Sequence, residues 1–549
     1  MNTSRPKSSP TTLDMMEKNS MKPLAGSKLE QWLCVLFIAV GCLVTLLWWH
    51  GRTSLWEDEI IAITHGNQPL PLFFMETLRN DIHPPLYFLQ LKLWHDLGFT
   101  SDAAVLFNSV CCAFISLAVL FGITRKVYGA RAACFATALY AVLPIFAYSG
   151  ANLRMYGLVP ACTLLVWYVN RQWFLLRERK WLAWMIVLEG AASYLHAIEF
   201  FFVGFIAIGA CLESLYTMRQ MRRQGAAGAR ASAAGLGGWV LAQAVVLVLI
   251  VPLMGSAVIR GSEATAPSTV LMSLTEPGAL VTGWAPASIL SLRMAGLLIF
   301  VFLAAVAMLE RRSRVRTLAI PIATLAAAIA VSMLAKPMIK VPVFASNLLP
   351  FIALGAGAGL ALHGSRYWRA GAFACMAVLA CAAIPLMRYQ TSADAYGATG
   401  RQLLQAVRPG DIVVVPNVSV YWGVMRYAVG ENWGQPLDVM PPANAQWEAV
   451  FRKLGPEKTA LLGLRPSRDH VVSNGVTYLL GDDARRLTAA ASRVWVVQRD
   501  GYKVDVQLGA PFTRQSLARP GNGDVALSFF VKDANGAPVA RHPLAANAR

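Results

Sequence analysis

The feature that most constrains this chain is its series of long apolar runs. They lie at roughly 31–49, 103–123, 132–149, 155–175, 181–197, 198–216, 237–256, 294–310, 317–335, 343–363 and 370–387. Each is near the ~20 residues that an α-helix needs to cross a bilayer. In lipid every backbone polar group must be satisfied internally, so about eleven such runs predict a helix bundle. The expected fold class is therefore a polytopic α-helical membrane protein. Of the 549 residues, 56% are hydrophobic and only 14% charged, which is not a soluble balance.

The net charge of +19 would suggest nucleic acid as a partner in a soluble protein. Here the basic residues sit in short clusters between apolar runs. Arg125, Lys126 and Arg131 follow the second run, and Arg171, Arg177, Arg179 and Lys180 the fourth. Arg219, Arg222, Arg223 and Arg230 follow the sixth, Arg311, Arg312, Arg314 and Arg316 the eighth, and Arg366 and Arg369 the tenth. These alternate loops, with the basic N-terminus, are assigned to the inside. The outside then receives the 50–102 loop, turns near Gly150 and His196, the 257–293 and 336–342 loops, and the C-terminal tail. The charge is topological, so membrane lipid is the expected partner and nucleic acid is not.

Residues 1–30 are polar, carry Arg5, Lys7, Lys18, Lys22 and Lys28, and read as disordered. The first apolar run shows no A-x-A cleavage site and reads as a retained signal-anchor. Nine cysteines lie within apolar runs without metal-ligand spacing, so they read as small packing residues. No metal site and no cofactor are expected. The tail, 389–549, changes character and is expected to be a soluble α/β domain. Helices are expected at 399–407 and 418–429, with a turn at Pro409, Gly410 and Asp411 between them. Strands are expected at 412–415, 459–464, 476–480 and 494–498, and a more β-rich end over 503–531. No Gly-rich phosphate loop occurs there, so no nucleotide site is expected. The expected domains are 1–30, a transmembrane domain over 31–388 that includes the outer loop 50–102, and 389–549.

Four short patterns carry candidate chemistry. Trp56, Glu57, Asp58 and Glu59 lie just beyond the first run, on the expected outer side. A carboxylate there can take a proton from an acceptor hydroxyl, and it can equally cap an interfacial helix. Asp81, His83, Pro84 and Pro85 open an apolar segment, and paired prolines suit a helix start. Leu86, Leu89, Leu93 and Leu97 would share one face of that helix, which suits a helix lying on a membrane. Asp81 and His83 could cap it or could face a substrate. Arg154, Met155 and Tyr156 open the fourth run on the outside, against the positive-inside bias. Arg154 could snorkel, or could meet a lipid phosphate. Lys336 and Lys340 are further outside cations. Tyr194, His196 and Glu199 are polar groups near the outer end of the fifth run, where ionisable side chains are functional candidates.

The order W-x-D-E (Trp56, Asp58, Glu59), D-x-H-P-P-L-Y (Asp81, His83, Pro84, Pro85, Leu86, Tyr87), R-M-Y (Arg154, Met155, Tyr156) and Y-x-H (Tyr194, His196) resembles bacterial members of glycosyltransferase family 39. This is the protein O-mannosyltransferase-like group with the GT-C fold, which includes the lipid A aminoarabinose transferases. The resemblance covers the first six spans well, the later spans loosely, and the tail in architecture only. It implies an inner-membrane transferase that takes a sugar from a polyprenyl-phosphate donor on the periplasmic face and passes it, with inversion, to a hydroxyl. The N-terminus would be cytoplasmic and the C-terminal domain periplasmic. It also implies that Asp58 is the general base and that His83, Pro84, Pro85 and Arg154 help to form the donor pocket. Glu59 would position Asp58 or the acceptor. Trp56, Asp81, Tyr156, His196, Lys336 and Lys340 complete the expected substrate-binding set. The acceptor could be a lipid, a glycan or a protein.

Two departures stand out. The family's S-Q-E-A-R-x-Y run reads Gly150, Ala151, Asn152, Leu153, Arg154, Met155, Tyr156 here, without the glutamate. An Arg-Tyr pair commonly precedes L-L-P in a late span, where this chain has Ser346 and Asn347 before Leu348, Leu349 and Pro350. Lys336 or Lys340 is the candidate replacement for that arginine's phosphate contact. Two other functions fit the same residues. A transporter or flippase for a lipid-linked glycan would use the outer charges for gating, but no inverted repeat is evident. A non-catalytic assembly scaffold would tolerate substitutions in the acidic loop.

Overall fold

The computed structural model of the protein describes residues 28–66, 70, 73–74, 77, 83–196, 199–223, 231–260, 290–309, 341–391, 395–416, 418–429, 470–480, 484–499, 506–508, 512–520 and 525–532. They fall into two compact units. The first comprises Met1–Leu46, Val110–Gly150 and Met155–Leu386. The second comprises Leu47–Ser109, Ala151–Arg154 and Met387–Arg549.

Helices occupy ten of the eleven expected spans among the described residues. They are α1 (Lys28–His50) and, after α2 (Glu57–Gly66) and α3 (Pro85–Asp96), α4 (Asp102–Tyr128) and the pair α5 (Ala130–Ala141) and α6 (Pro144–Ala151). Then follow α7 (Val159–Leu176), α8 (Arg179–Leu195), α9 (Glu199–Arg223), α10 (Ala231–Arg260), α11 (Leu290–Ala307), α12 (Val341–Leu362) and α13 (Arg366–Thr391). The ninth expected span, 317–335, lies outside the described residues. By length and apolarity four of the described helices could cross a membrane, or five if α5 and α6, bent by 67°, count as one span. The others are shorter or carry charge: α8 has 17 residues and a buried Glu189, and α9 carries Glu199 and Glu213.

Within the first unit, small residues let helices approach closely. A Cβ on Gly357 of α12 would lie 2.6 Å from the Ala132 carbonyl oxygen of α5, so only glycine fits there. A polar network ties α7, α8 and α10. The Glu189 carboxylate accepts hydrogen bonds from Asn170 Nδ2 (2.7 Å) and Gln243 Nε2 (2.9 Å), and Asn170 Oδ1 accepts from Trp239 Nε1 (2.9 Å). Glu30 pairs with Arg131 (2.7 Å) and Arg369 (3.3 Å), which joins three helix starts that the loop charges assign to one side. Apolar side chains such as Trp32 and Val248 stand exposed along α1 and α10, as lipid-facing positions would.

In the second unit the acidic loop folds into α2 and α3, which pack against one another. The tail adds α14 (Ala395–Ala406), β1 (Ile412–Val415), α15 (Val418–Val424), a π-helical turn (Met425–Val429), β2 (His470–Ser473), β3 (Val476–Leu480), α16 (Arg485–Thr488), β4 (Arg493–Arg499), β5 (Phe512–Ala518) and β6 (Val525–Lys532). The six strands form one sheet in the order β2-β3-β1-β4-β6-β5. β1 is parallel to both β3 and β4, and the remaining pairs are antiparallel, so the sheet is mixed as expected for an α/β domain. β1 reads as an unbroken apolar run because both of its faces are covered. Val413 and Val415 face a core built with Tyr421, Trp495 and Phe529, while Ile412 and Val414 face a second one with Leu479, Val494 and Val496.

The expected strands at 412–415, 476–480 and 494–498 are present, whereas 459–464 lies outside the described residues. β2 lies outside the expected strands. It is joined to β3 through Asn474 (φ 51°) and Gly475 (φ 76°), the left-handed pair that a two-residue hairpin requires. The helix expected over 418–429 is real, but its second half is the π-helical turn.

Candidate active site

The Trp56 segment starts a helix by reciprocal capping. Trp56 is the residue before α2, its carbonyl accepts from the Glu59 and Ile60 amides, and the Glu59 carboxylate accepts from the Trp56 amide at 3.0 Å. A glutamate at the third helical position closing back on the cap residue is half of a capping box. The same carboxylate accepts two further contacts from Arg52, at 2.5 Å and 3.3 Å, and one from the Leu153 amide at 2.7 Å. Glu59 is fully buried and its lone pairs are taken up. Arg52 also donates to the Ala151 carbonyl (3.2 Å), to Asn152 Oδ1 (3.0 Å) and to the Ser54 carbonyl (3.1 Å). Asn152 stands where the family-like run has its glutamate, so Arg52 meets one full carboxylate and one neutral amide.

Asp58, the next residue back along α2, faces the other way. Its side chain is 39% exposed, and its Oδ2 lies 3.4 Å from Nη2 of the buried Arg154. Arg154 Nη2 also lies 2.9 Å from His83 Nε2. A guanidinium can only donate, so His83 Nε2 accepts and the ring proton sits on Nδ1. His83 is held just before α3, whose first residue is Pro85. The start of α3 has no side-chain cap, so His83 faces Arg154 rather than capping the helix. α3 buries Tyr87, Phe88 and Leu91; of the expected leucine face, Leu93 and the following Leu97 are exposed, while Leu86 and Leu89 are half-buried.

The structure thus gathers Trp56, Asp58, Glu59, His83 and Arg154 into one unit. It pairs Tyr156 and His196 in the other, with ring centroids 6.0 Å apart. His196 ends α8 in an extended conformation, and its carbonyl accepts from the Glu199 amide at 2.9 Å. The buried Glu199 carboxylate accepts from Asn347 Nδ2 at 2.7 Å, so one residue of the Ser346–Asn347 departure serves a carboxylate instead of a phosphate. Tyr194 donates to the Leu249 carbonyl at 2.9 Å. Asp81, Lys336 and Lys340 lie outside the described residues. Arg52 belongs to none of the short motifs, although it lies next to a span in the loop expected outside, the signal that singled out Arg154.

Residues 82–222 match the family described as dolichyl-phosphate-mannose-protein mannosyltransferase. Among solved structures, ArnT from Cupriavidus metallidurans bound to undecaprenyl phosphate is similar at a TM-score of 0.54 and 14% identity, covering 92% of this chain and 99% of that one. Its apo state aligns at a TM-score of 0.54 and 15% identity, covering 92% and 98%. No curated protein matches the chain in sequence. The resemblance read from the short motifs therefore stands on a matched segment and on the fold.

Proposed function

We propose that the protein transfers a sugar from a polyprenyl-phosphate donor to an acceptor hydroxyl on the periplasmic face of the inner membrane. The observation that carries this reading is the division of labour between two adjacent carboxylates. Glu59 is sealed among donors, while Asp58 stays half-open beside Arg154 and His83. In the proposed step Asp58 takes the acceptor proton, and the acceptor oxygen attacks the anomeric carbon from the face opposite the phosphate. The bond from that carbon to the phosphate oxygen breaks, and the polyprenyl phosphate leaves with the electron pair. Arg154 offsets the charge that develops on the leaving oxygen, and fixed charge of this kind lowers the barrier without reorganisation. Glu59 acts by positioning the helix start that carries Asp58. The sugar is a hexose or pentose, and the acceptor a lipid, glycan or protein hydroxyl.

The test uses membranes holding the full chain at matched expression, supplied with undecaprenyl-phosphate-linked sugars, with transferred product followed by mass spectrometry. Product that appears with wild type and is lost with Asp58→Asn supports the reading. Near-wild-type turnover of Asp58→Asn removes the base assignment. Vesicles that move the lipid-linked sugar without forming a new glycosidic bond would instead make the protein a transporter.

A further inference from the structure

One tyrosine of the tail reaches into the acidic loop at its two ends. Tyr427, in the π-helical turn, accepts a hydrogen bond from the Leu55 amide at 2.7 Å and donates one to Asp102 Oδ2 at 2.7 Å. Leu55 is buried three residues before Asp58, and Asp102 is the first residue of α4, where the outer loop ends. The adjacent Arg426 donates through Nε to Asp102 Oδ1 at 3.0 Å, and its Nη2 contacts the same oxygen. Two consecutive side chains of the tail thus grip the carboxylate that closes the loop, and one of them also holds the amide that opens the acid-bearing segment.

Three further features belong to this contact. α15, which precedes the turn, packs against α2. Gly400 of α14 lies under Tyr427, and a Cβ there would come within 3.1 Å of the Tyr427 backbone Cα, so the helix is notched to admit the turn. Burial, and next the negative charge of Asp102, push the Tyr427 hydroxyl well above the ordinary tyrosine range, so it stays a donor throughout the physiological range. A π-helical turn is a costly local geometry that recurs at functional sites, and here it sets Arg426 and Tyr427 side by side on one carboxylate.

We propose that Tyr427, seated by Arg426 and Asp102, is a positioning residue that fixes the height and tilt of the Asp58 helix start. This rests on the transfer reaction proposed above. Arg52 and Glu59 fasten that helix from within the loop, and Tyr427 fastens Leu55, two residues before it, from the tail. The soluble domain is then part of the catalytic apparatus rather than an appendage. Misplacement of a catalytic group by about 1 Å can cost on the order of a hundredfold in rate, so a tether this near to Asp58 affects turnover more than donor affinity.

The experiment compares full-length wild type, Tyr427→Phe and Asp102→Asn in nanodiscs. Hydrogen–deuterium exchange over 54–66 is read first, because it needs no substrate. Tyr427→Phe is expected to raise exchange there severalfold while peptides of β1 and β4 stay protected. Asp102→Asn, which keeps an acceptor for the tyrosine, is expected to raise it less. Transfer from an undecaprenyl-phosphate-linked sugar is read second. A fall of about tenfold or more in kcat, with KM for the lipid donor within about twofold, is expected for Tyr427→Phe. Unchanged exchange over 54–66 overturns the tether. Changed exchange with unchanged kcat overturns its role in positioning. If wild type transfers nothing, the transfer reading fails, and with it the positioning role, while the exchange result still decides the tether.

Discussion

Arg52 holds Glu59 through both terminal guanidinium nitrogens, at 2.5 Å and 3.3 Å, from seven residues away across the start of α2. Both side chains are sealed, at 9% and 0% exposure, so neither charge can be left alone cheaply. Removing one partner of a buried ion pair costs about 3–5 kcal/mol, far more than a surface pair is worth. Glu59→Gln and Arg52→Ala are each expected to lower the thermal unfolding midpoint of the purified protein and to abolish transfer together with it. The paired replacement Arg52→Met with Glu59→Leu should recover only part of the stability and none of the activity, because it removes the unpaired charge but the Leu153 and Trp56 amides still lose their acceptor.

Asp58→Asn should behave in the opposite way. The side chain is partly exposed and makes one long ion pair to Arg154, so its loss leaves the fold nearly intact. The unfolding midpoint is expected to stay near wild type, while turnover falls by roughly 10²–10⁴, the usual range for removing a general base. Arg154→Lys keeps the charge but cannot reach Asp58 and His83 from one planar group. It should lower turnover with little change in stability, which steady-state kinetics beside a thermal scan would show.

The helical runs are legible because lipid imposes length and apolarity on every span, and IVVV at 412–415 because a strand covered on both faces needs no alternation. Asp58 and Glu59 are legible as a pair but not as opposites. Which of them is buried depends on Arg52, on the Asn152 side chain that Arg52 meets and on the Leu153 amide, which arrive about a hundred residues later. The Asn474–Gly475 pair is a local hairpin signal that suffices to place β2. Tyr427 has no local signal, because it is one of fifteen tyrosines and its partners lie 372 and 325 residues away in the chain. Contacts of that range are created by tertiary folding alone.

The close approach of α12 to α5 gives a prediction that separates folding from chemistry. A Cβ on Gly357 would meet the Ala132 carbonyl oxygen at 2.6 Å and the Ala136 amide nitrogen at 2.7 Å, both backbone atoms that cannot swing aside. Gly357→Ala is expected to reduce the yield of folded protein in membranes, and Gly357→Val to eliminate it. Gly122→Ala, where no atom of the described residues lies within 4 Å, is the matched control and should be neutral. Gel-filtration recovery from detergent extracts measures both.

The tail's response to alkali follows from Tyr478. Burial first, and then the charge of the nearby Asp411, push this hydroxyl up to about 12. In the unfolded chain it would ionise near the ordinary value of about 10. Between those two values the unfolded state releases a proton that the folded state keeps, so stability falls as pH rises through that window. The contribution is fully present below about pH 10 and is lost as pH approaches about 12. Tyr427 is raised in the same direction by burial and by Asp102, so it adds to the alkaline loss. Tyr478→Phe cannot ionise and is expected to flatten the fall in unfolding midpoint over this window without removing it, since Tyr427 remains. Thermal scans of wild type and variant at stepped alkaline pH, with tyrosinate absorbance recorded alongside, measure the difference. Equal slopes for the two proteins would show that Tyr478 ionises no later in the folded tail than in the unfolded chain.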